Sequence, residues 1–118
     1  MHIDELRTYC LSKPGVEETF PWDESTLVFK VMGKMFVACD VDHYTGFNAK
    51  CDPERAIELR ERYPGGILPG YHMSKVHWNT VLAHSDVPEA LQRGLIDHSY
   101  QLVVASLPRK VHDALGAG

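Results

Sequence analysis

The chain has 118 residues, 44% of them apolar and 24% charged, which suits one soluble globular domain spanning 1–118, too short for two ordinary domains and free of low-complexity runs or solenoid-period repeats. Sixteen Asp and Glu against twelve Lys and Arg give a net charge of −4, so any nucleic-acid surface must be a local patch on an acidic molecule. The opening MHIDELRTYC is acidic and amphipathic, unlike a leader peptide, and no apolar run approaches the roughly 20 residues of a membrane span; the expectation is a cytoplasmic monomer without a membrane partner.

Ile3, Leu6, Cys10 and Leu11 recur at spacings of three and four, which predicts a first helix that Pro14-Gly15 stops. VEETFPW (16–22) reads as extended. In TLVFKVMGKMFVACDV (26–41), Leu27, Phe29 and Val31 alternate with Val28, Lys30 and Met32, and Phe36 and Ala38 with Val37 and Cys39. Two antiparallel strands hinged at Gly33-Lys34 are expected. YTGFNAK (44–50) follows as a third strand paired with the second.

At CDPERAIELRERYPGG (51–66) the pattern turns helical: Asp52 suits the N-cap, Pro53 the first helical position, and Tyr63-Pro64-Gly65-Gly66 the end. ILPGYHMSK (67–75) reads as a loop. In VHWNTVLAH (76–84), Val76, Trp78, Thr80 and Leu82 share one face of a final strand, so Trp78 is expected in the core and His77 half exposed on the other face. The last segment starts with Asp86 and Glu89 at capping-box spacing, has Pro88 in its first turn, and carries a broad apolar stripe through Leu91, Leu95, Ile96, Leu102, Val103 and Leu107. Gly94 is a point of weakness in that helix, and Pro108 opens a last short helical turn with a frayed GAG end. The order predicts an α+β domain, an antiparallel sheet covered on one face by the N- and C-terminal helices. Binding is to be sought on the uncovered face.

Chemistry-bearing motifs are sparse. Cys10, Cys39 and Cys51 lack C-x-x-C spacing and read as buried thiols. Seven histidines include no H-E-x-x-H and no zinc-finger spacing, so no metal site or cofactor is assigned. Ser99 lies inside a helix without a G-x-S-x-G elbow and is expected to bond a local carbonyl, and YPGGILPG lacks the G-K-[ST] of a phosphate loop; no catalytic residue is assigned. Asp4, Glu5, Glu17, Glu18, Asp23 and Glu24 make the N-terminal region acidic, a solvated face or a weak oxygen-ligand site for a hard cation. What remains is a basic and aromatic group: Lys30, Lys34, Lys50, Lys75, His72 and His77, able to track a phosphate backbone if the first hairpin and the last strand are neighbours.

PGYHMSKVHWNTV (69–81), GKMF (33–36), DPERAIELRERYP (52–64) and LIDHSYQLVVASLPRK (95–110), in that order, resemble the MmcQ/YjbR family of small bacterial proteins. The likeness covers nearly the whole chain, with Ser74 standing where the family commonly has asparagine in a His-Met-Asn-Lys run. It implies a fold like that of CyaY and frataxin, and DNA binding through two β-hairpin wings, here the hairpin around Gly33-Lys34 and the segment from Tyr71 to Trp78. No enzymatic activity comes with it. The expectation is a DNA-binding protein using Lys30, Lys34, His72, Lys75 and His77. The alternatives are a module that takes a protein partner or small ligand beside GYHMSKVHW, or frataxin-like metal binding by the acidic residues.

Overall fold

A computed structural model describes residues 1–117, in the order α1 (Ile3–Leu11), β1 (Val16–Thr19), β2 (Thr26–Val31), β3 (Lys34–Asp40), β4 (Gly46–Lys50), α2 (Pro53–Arg62), β5 (Ile67–Pro69), β6 (Trp78–Leu82), α3 (Glu89–Ala105) and α4 (Arg109–Ala117). Local chemistry sets several of these boundaries. The Glu5 carboxylate accepts the His2 N–H (3.1 Å) at the start of α1, and Asp52 Oδ2 accepts the Arg55 N–H (3.1 Å) at the start of α2, with Pro53 at the position that has no N–H bond to lose. In the β2–β3 hairpin Val31 pairs with Lys34, so the turn is Met32-Gly33, one residue earlier than Gly33-Lys34. Met32 (φ 49°) and Gly33 (φ 85°) both adopt the left-handed region, as a two-residue type I′ turn demands to match the twist of its strands.

The six strands form one antiparallel sheet in the order β1-β2-β3-β4-β6-β5. Leu27, Phe29 and Val31 of β2, Val37 and Cys39 of β3, Phe47 and Ala49 of β4 and Val81 of β6 pack with Leu6 and Cys10 of α1 and Leu95, Ile96 and Val103 of α3. Phe29, Phe36 and Phe47 are among the side chains wholly removed from water, each stabilising the fold by ~1.5–3 kcal/mol relative to exposure. The single α+β domain with helices on one face is therefore the observed architecture.

Ser99 of α3 has a structural task in this core. β3 and β4 pair only at Val37↔Ala49 and Ala38↔Asn48. Beyond those pairs, the fully buried Ser99 hydroxyl donates to the Phe36 carbonyl (2.5 Å) and accepts the Lys50 N–H (2.9 Å), bridging the two strands where their ladder stops. Its partners are thus distant in sequence, not the local carbonyl expected.

Four other expectations change. Ile67–Pro69 is a strand, with Ile67↔Val81 and Pro69↔Asn79, and not part of a loop. β6 begins at Trp78 and its inward residues are Asn79 and Val81; Trp78 is only half-buried and Val76 is exposed, so the alternation has the opposite sense to the one expected. The polar Asn79 sits inward because its Nδ2 donates to the Ala56 carbonyl (3.3 Å) and ties α2 to β6. α3 starts at Glu89 behind Pro88, without a side-chain cap from Asp86, and runs unbroken through Gly94, around which a Cβ would meet open space. α4 is a nine-residue helix and not a short turn; Gly118, at the end of the expected frayed GAG, lies outside the described residues.

Candidate functional site

Strand register decides which distant segments meet. Val31 pairs with Lys34, Lys50 with Trp78, and Pro69 with Asn79, so the β2–β3 turn, the end of β4 and the loop from Gly70 to His77 all leave the same end of the sheet. In strand order the β2–β3 and β5–β6 hairpins stand on either side of β4. Their centres are three strand spacings apart, ~14 Å at ~4.8 Å each.

Charge is sorted between the two ends. The end bearing these turns carries Lys34, Lys50 and Lys75, with Lys30 one step inside it, against a single carboxylate, Asp52, in its connections, which caps α2. The opposite end is built by the segments 20–25, 41–45, 63–66 and 83–88, which contain Asp23, Glu24, Asp42 and Asp86 and not one lysine or arginine. Not every cation on the basic side is available. Lys13 is held by Asp97 (2.5 Å), and Lys30 stands across from Glu17 on β1. Lys34 and Lys75 are exposed.

The Gly70–His77 loop is braced on several sides. The Gly70 N–H donates to the Trp78 carbonyl (2.9 Å) and the Trp78 N–H to the Ser74 carbonyl (2.9 Å). Arg60 of α2 donates from Nη1 to the Lys75 carbonyl (2.9 Å), and the His77 carbonyl accepts the Cys51 N–H (2.8 Å). Two polar strand residues hold its base: Thr80 Oγ1 donates to Asn48 Oδ1 (2.5 Å) and accepts the Tyr71 N–H (3.0 Å), while Asn48 Nδ2 donates to the Tyr71 carbonyl (3.2 Å). The loop is thereby preorganised, which lowers the ordering cost of binding. Ser74 serves through its carbonyl, a contact that its replacement for asparagine leaves unaltered.

The five residues assigned from sequence divide accordingly. Lys34 flanks the first projecting turn, Lys75 lies in the second, and His77 is exposed at the root of the second. Lys30 is partly buried and shares its register with a carboxylate. His72 takes a left-handed backbone (φ 59°) and packs its ring against Tyr71, centroids 3.9 Å apart, turning over the open sheet face and its cleft. Arg60, Asn48 and Thr80 were not singled out by sequence reasoning; the one available signal was Asn48 and Lys50 alternating with Phe47 and Ala49 along β4.

Other chemistry finds little support. All three cysteines are buried, and burial pushes the Cys39 thiol up to about 12 and the Cys51 thiol to about 11, away from nucleophilic use. For the metal alternative, Glu18 is engaged by Arg7 through Nε (2.8 Å) and Nη2 (2.5 Å), and among the described residues no three His, Cys, Asp or Glu side chains come together as a ligand set. No helix among the described residues is long and apolar enough to cross a membrane.

A family model described as YjbR matches residues 11–102. The uncharacterised protein YbdF of Escherichia coli O157:H7 is 38% identical over 108 residues, covering 91% of this chain and 88% of YbdF. The uncharacterised protein YjbR of Escherichia coli K12 is 33% identical over 111 residues, 93% of each chain. Among solved structures, Deinococcus radiodurans DR2400, a DUF419 domain, superimposes with a TM-score of 0.90 at 40% identity over 97% of this chain and 87% of its own. A Pseudomonas syringae protein does so with a TM-score of 0.73 at 26% identity, over 86% of this chain and 98% of its own.

Proposed function

The chain belongs to the YjbR family, and from that premise and the charge layout of its sheet we propose that it binds double-stranded DNA through the backbone, as a binding protein and not an enzyme. The observation that carries this reading is the sorting of charge: Lys34, Lys50 and Lys75 at the end from which two braced turns project, and four loop carboxylates at the other. A net charge of −4 is then compatible with phosphate binding, because the anionic end faces away from the duplex. The ~14 Å between hairpin centres is comparable with the ~12 Å width of a major groove, so the two turns suit phosphates on its two walls. His77 lies at the root of the turn that carries Lys75, for contacts to sugar or phosphate oxygens, while His72 turns toward the cleft and is not part of this surface.

Few phosphate contacts mean modest affinity and little sequence preference. The test is fluorescence anisotropy of a labelled duplex of about two helical turns at low salt. Binding is expected for the unaltered chain, to weaken strongly on Lys34→Gln with Lys75→Gln, and to strengthen slightly on Asp42→Asn with Asp86→Asn. Absence of binding at low salt, or equal effects of the two pairs, overturns the proposal.

A further inference from the structure

The open face of the sheet holds a feature that the basic end does not use. Between Trp22 of the β1–β2 connection and the 71–73 segment of the braced loop lies a cleft of about 440 Å³, whose floor includes Ala38 and Asn48. That volume falls in the ~300–1,000 Å³ range of small-molecule sites. Its two aromatic walls are among the most exposed large apolar side chains of the molecule, Trp22 at 64% and Tyr71 at 69%. The Tyr71 backbone is held by the Asn48–Thr80 hydrogen bonds and its ring packs against His72, so the segment that carries this wall is positioned before any guest arrives.

The charge of the cleft selects its guest. Asp23 and Asp40 line it, and no lysine or arginine does. Asp23 accepts the Thr26 (2.6 Å) and Ser25 (2.9 Å) N–H groups, which hold its carboxyl below the usual carboxylate range and keep it ionised at neutral pH. Asp40 accepts the Asp42 (2.8 Å) and His43 (2.9 Å) N–H groups on Oδ1 alone, which leaves Oδ2 for a ligand. Among its protein partners, the Asn48 amide uses two of its four hydrogen-bonding positions. Anions, nucleotides included, are repelled by this lining. Flat faces of tryptophan and tyrosine beside two carboxylates attract a cation through ring quadrupole and charge together.

We propose that this cleft is a binding site for a small organic cation, an ammonium or amidinium group joined to a flat apolar body, with the body between Trp22 and Tyr71 and the cationic nitrogen toward Asp40 Oδ2. The site is separate from the DNA-binding proposal and stands or falls without it.

Three isosteric probes differing in charge test it: benzamidine, benzamide and benzoate, each titrated into the full chain and followed by NMR shifts of the Asn48 and Tyr71 amides. Benzamidine is expected to bind in the millimolar range, as its few atoms allow, benzamide several-fold more weakly, and benzoate weakest. Asp40→Asn, which keeps an Oδ1 acceptor for the loop amides, and Trp22→Ala, which removes an exposed ring, should each weaken benzamidine by about tenfold, while Lys75→Gln leaves it unchanged. Benzoate binding as well as benzamidine, no binding of benzamidine, or an unchanged benzamidine Kd in both cleft variants overturns the assignment.

Discussion

Replacing Ser99 with alanine removes a single oxygen that serves two strands. The hydroxyl is fully buried, donates to the Phe36 carbonyl and accepts the Lys50 N–H, and neither backbone group has a ladder partner across β3 and β4 at that point. Alanine orphans both. An unsatisfied buried donor costs ~1–3 kcal/mol and an under-satisfied carbonyl somewhat less, so about 3 kcal/mol is the expected loss, a large part of the ~5–15 kcal/mol that holds a domain together. With an unfolding entropy of ~2.1 cal/mol/K per residue, the 118-residue chain has about 250 cal/mol/K, and the melting temperature should fall by about 12 °C. Urea denaturation followed by circular dichroism reads the loss directly, with the slope m unchanged because the surface exposed on unfolding is the same. Ser99→Cys, whose thiol is a weak donor and acceptor, should fall between the two. A loss under ~0.5 kcal/mol for Ser99→Ala would show that water or a closed ladder replaces the hydroxyl, and the bridging role would be refuted.

His98 Nε2 accepts the Asp52 N–H (3.1 Å), and burial, with Arg55 nearby, lowers its pKa from 6.5. The unfolded chain thus binds this proton more readily, so the contribution of neutral His98 is fully present above about pH 6.5 and lost as pH falls through the lower folded value; His98→Gln should flatten that part of the stability profile, and an unchanged profile contradicts it. Gly70→Ala places a Cβ 2.7 Å from Trp78 Cβ and 2.9 Å from the Trp78 carbonyl oxygen, for which a loss of ~1–3 kcal/mol and shifted Tyr71 and His72 amide resonances are expected; retention of wild-type stability and spectra would show that the loop has room to give.

The parts of the fold legible in sequence are those whose periodicity is carried by strongly apolar residues. α1, β2 and the stripe of α3 each place Leu, Ile, Val or Phe on one face, and each stands where expected except for Leu11, which is exposed at the end of α1. β5 escaped notice because three residues ending in proline carry no alternation, and it is a strand only because β6 lies beside it. β6 misled through its own composition: Trp78 and Leu82 are the more apolar set, yet Asn79 and Val81 face inward, since α2 presents a carbonyl that an amide satisfies. Of the site, the residue types were readable and their juxtaposition was not. That Lys34 and Lys75 leave one end of the sheet follows from register across β2, β3, β4 and β6, which no local pattern encodes. The cleft depends on the 20–25 and 70–77 segments standing over one face, a tertiary fact with no sequence period.

The salt dependence of duplex binding measures the basic end most directly. With three to four phosphates neutralised, log Kobs against log salt should fall with a slope of about −3, and Lys34→Gln and Lys75→Gln should each reduce its magnitude by about one. A slope near zero, or one that neither substitution alters, would mean that the lysines gathered at that end do not meet a polyanion.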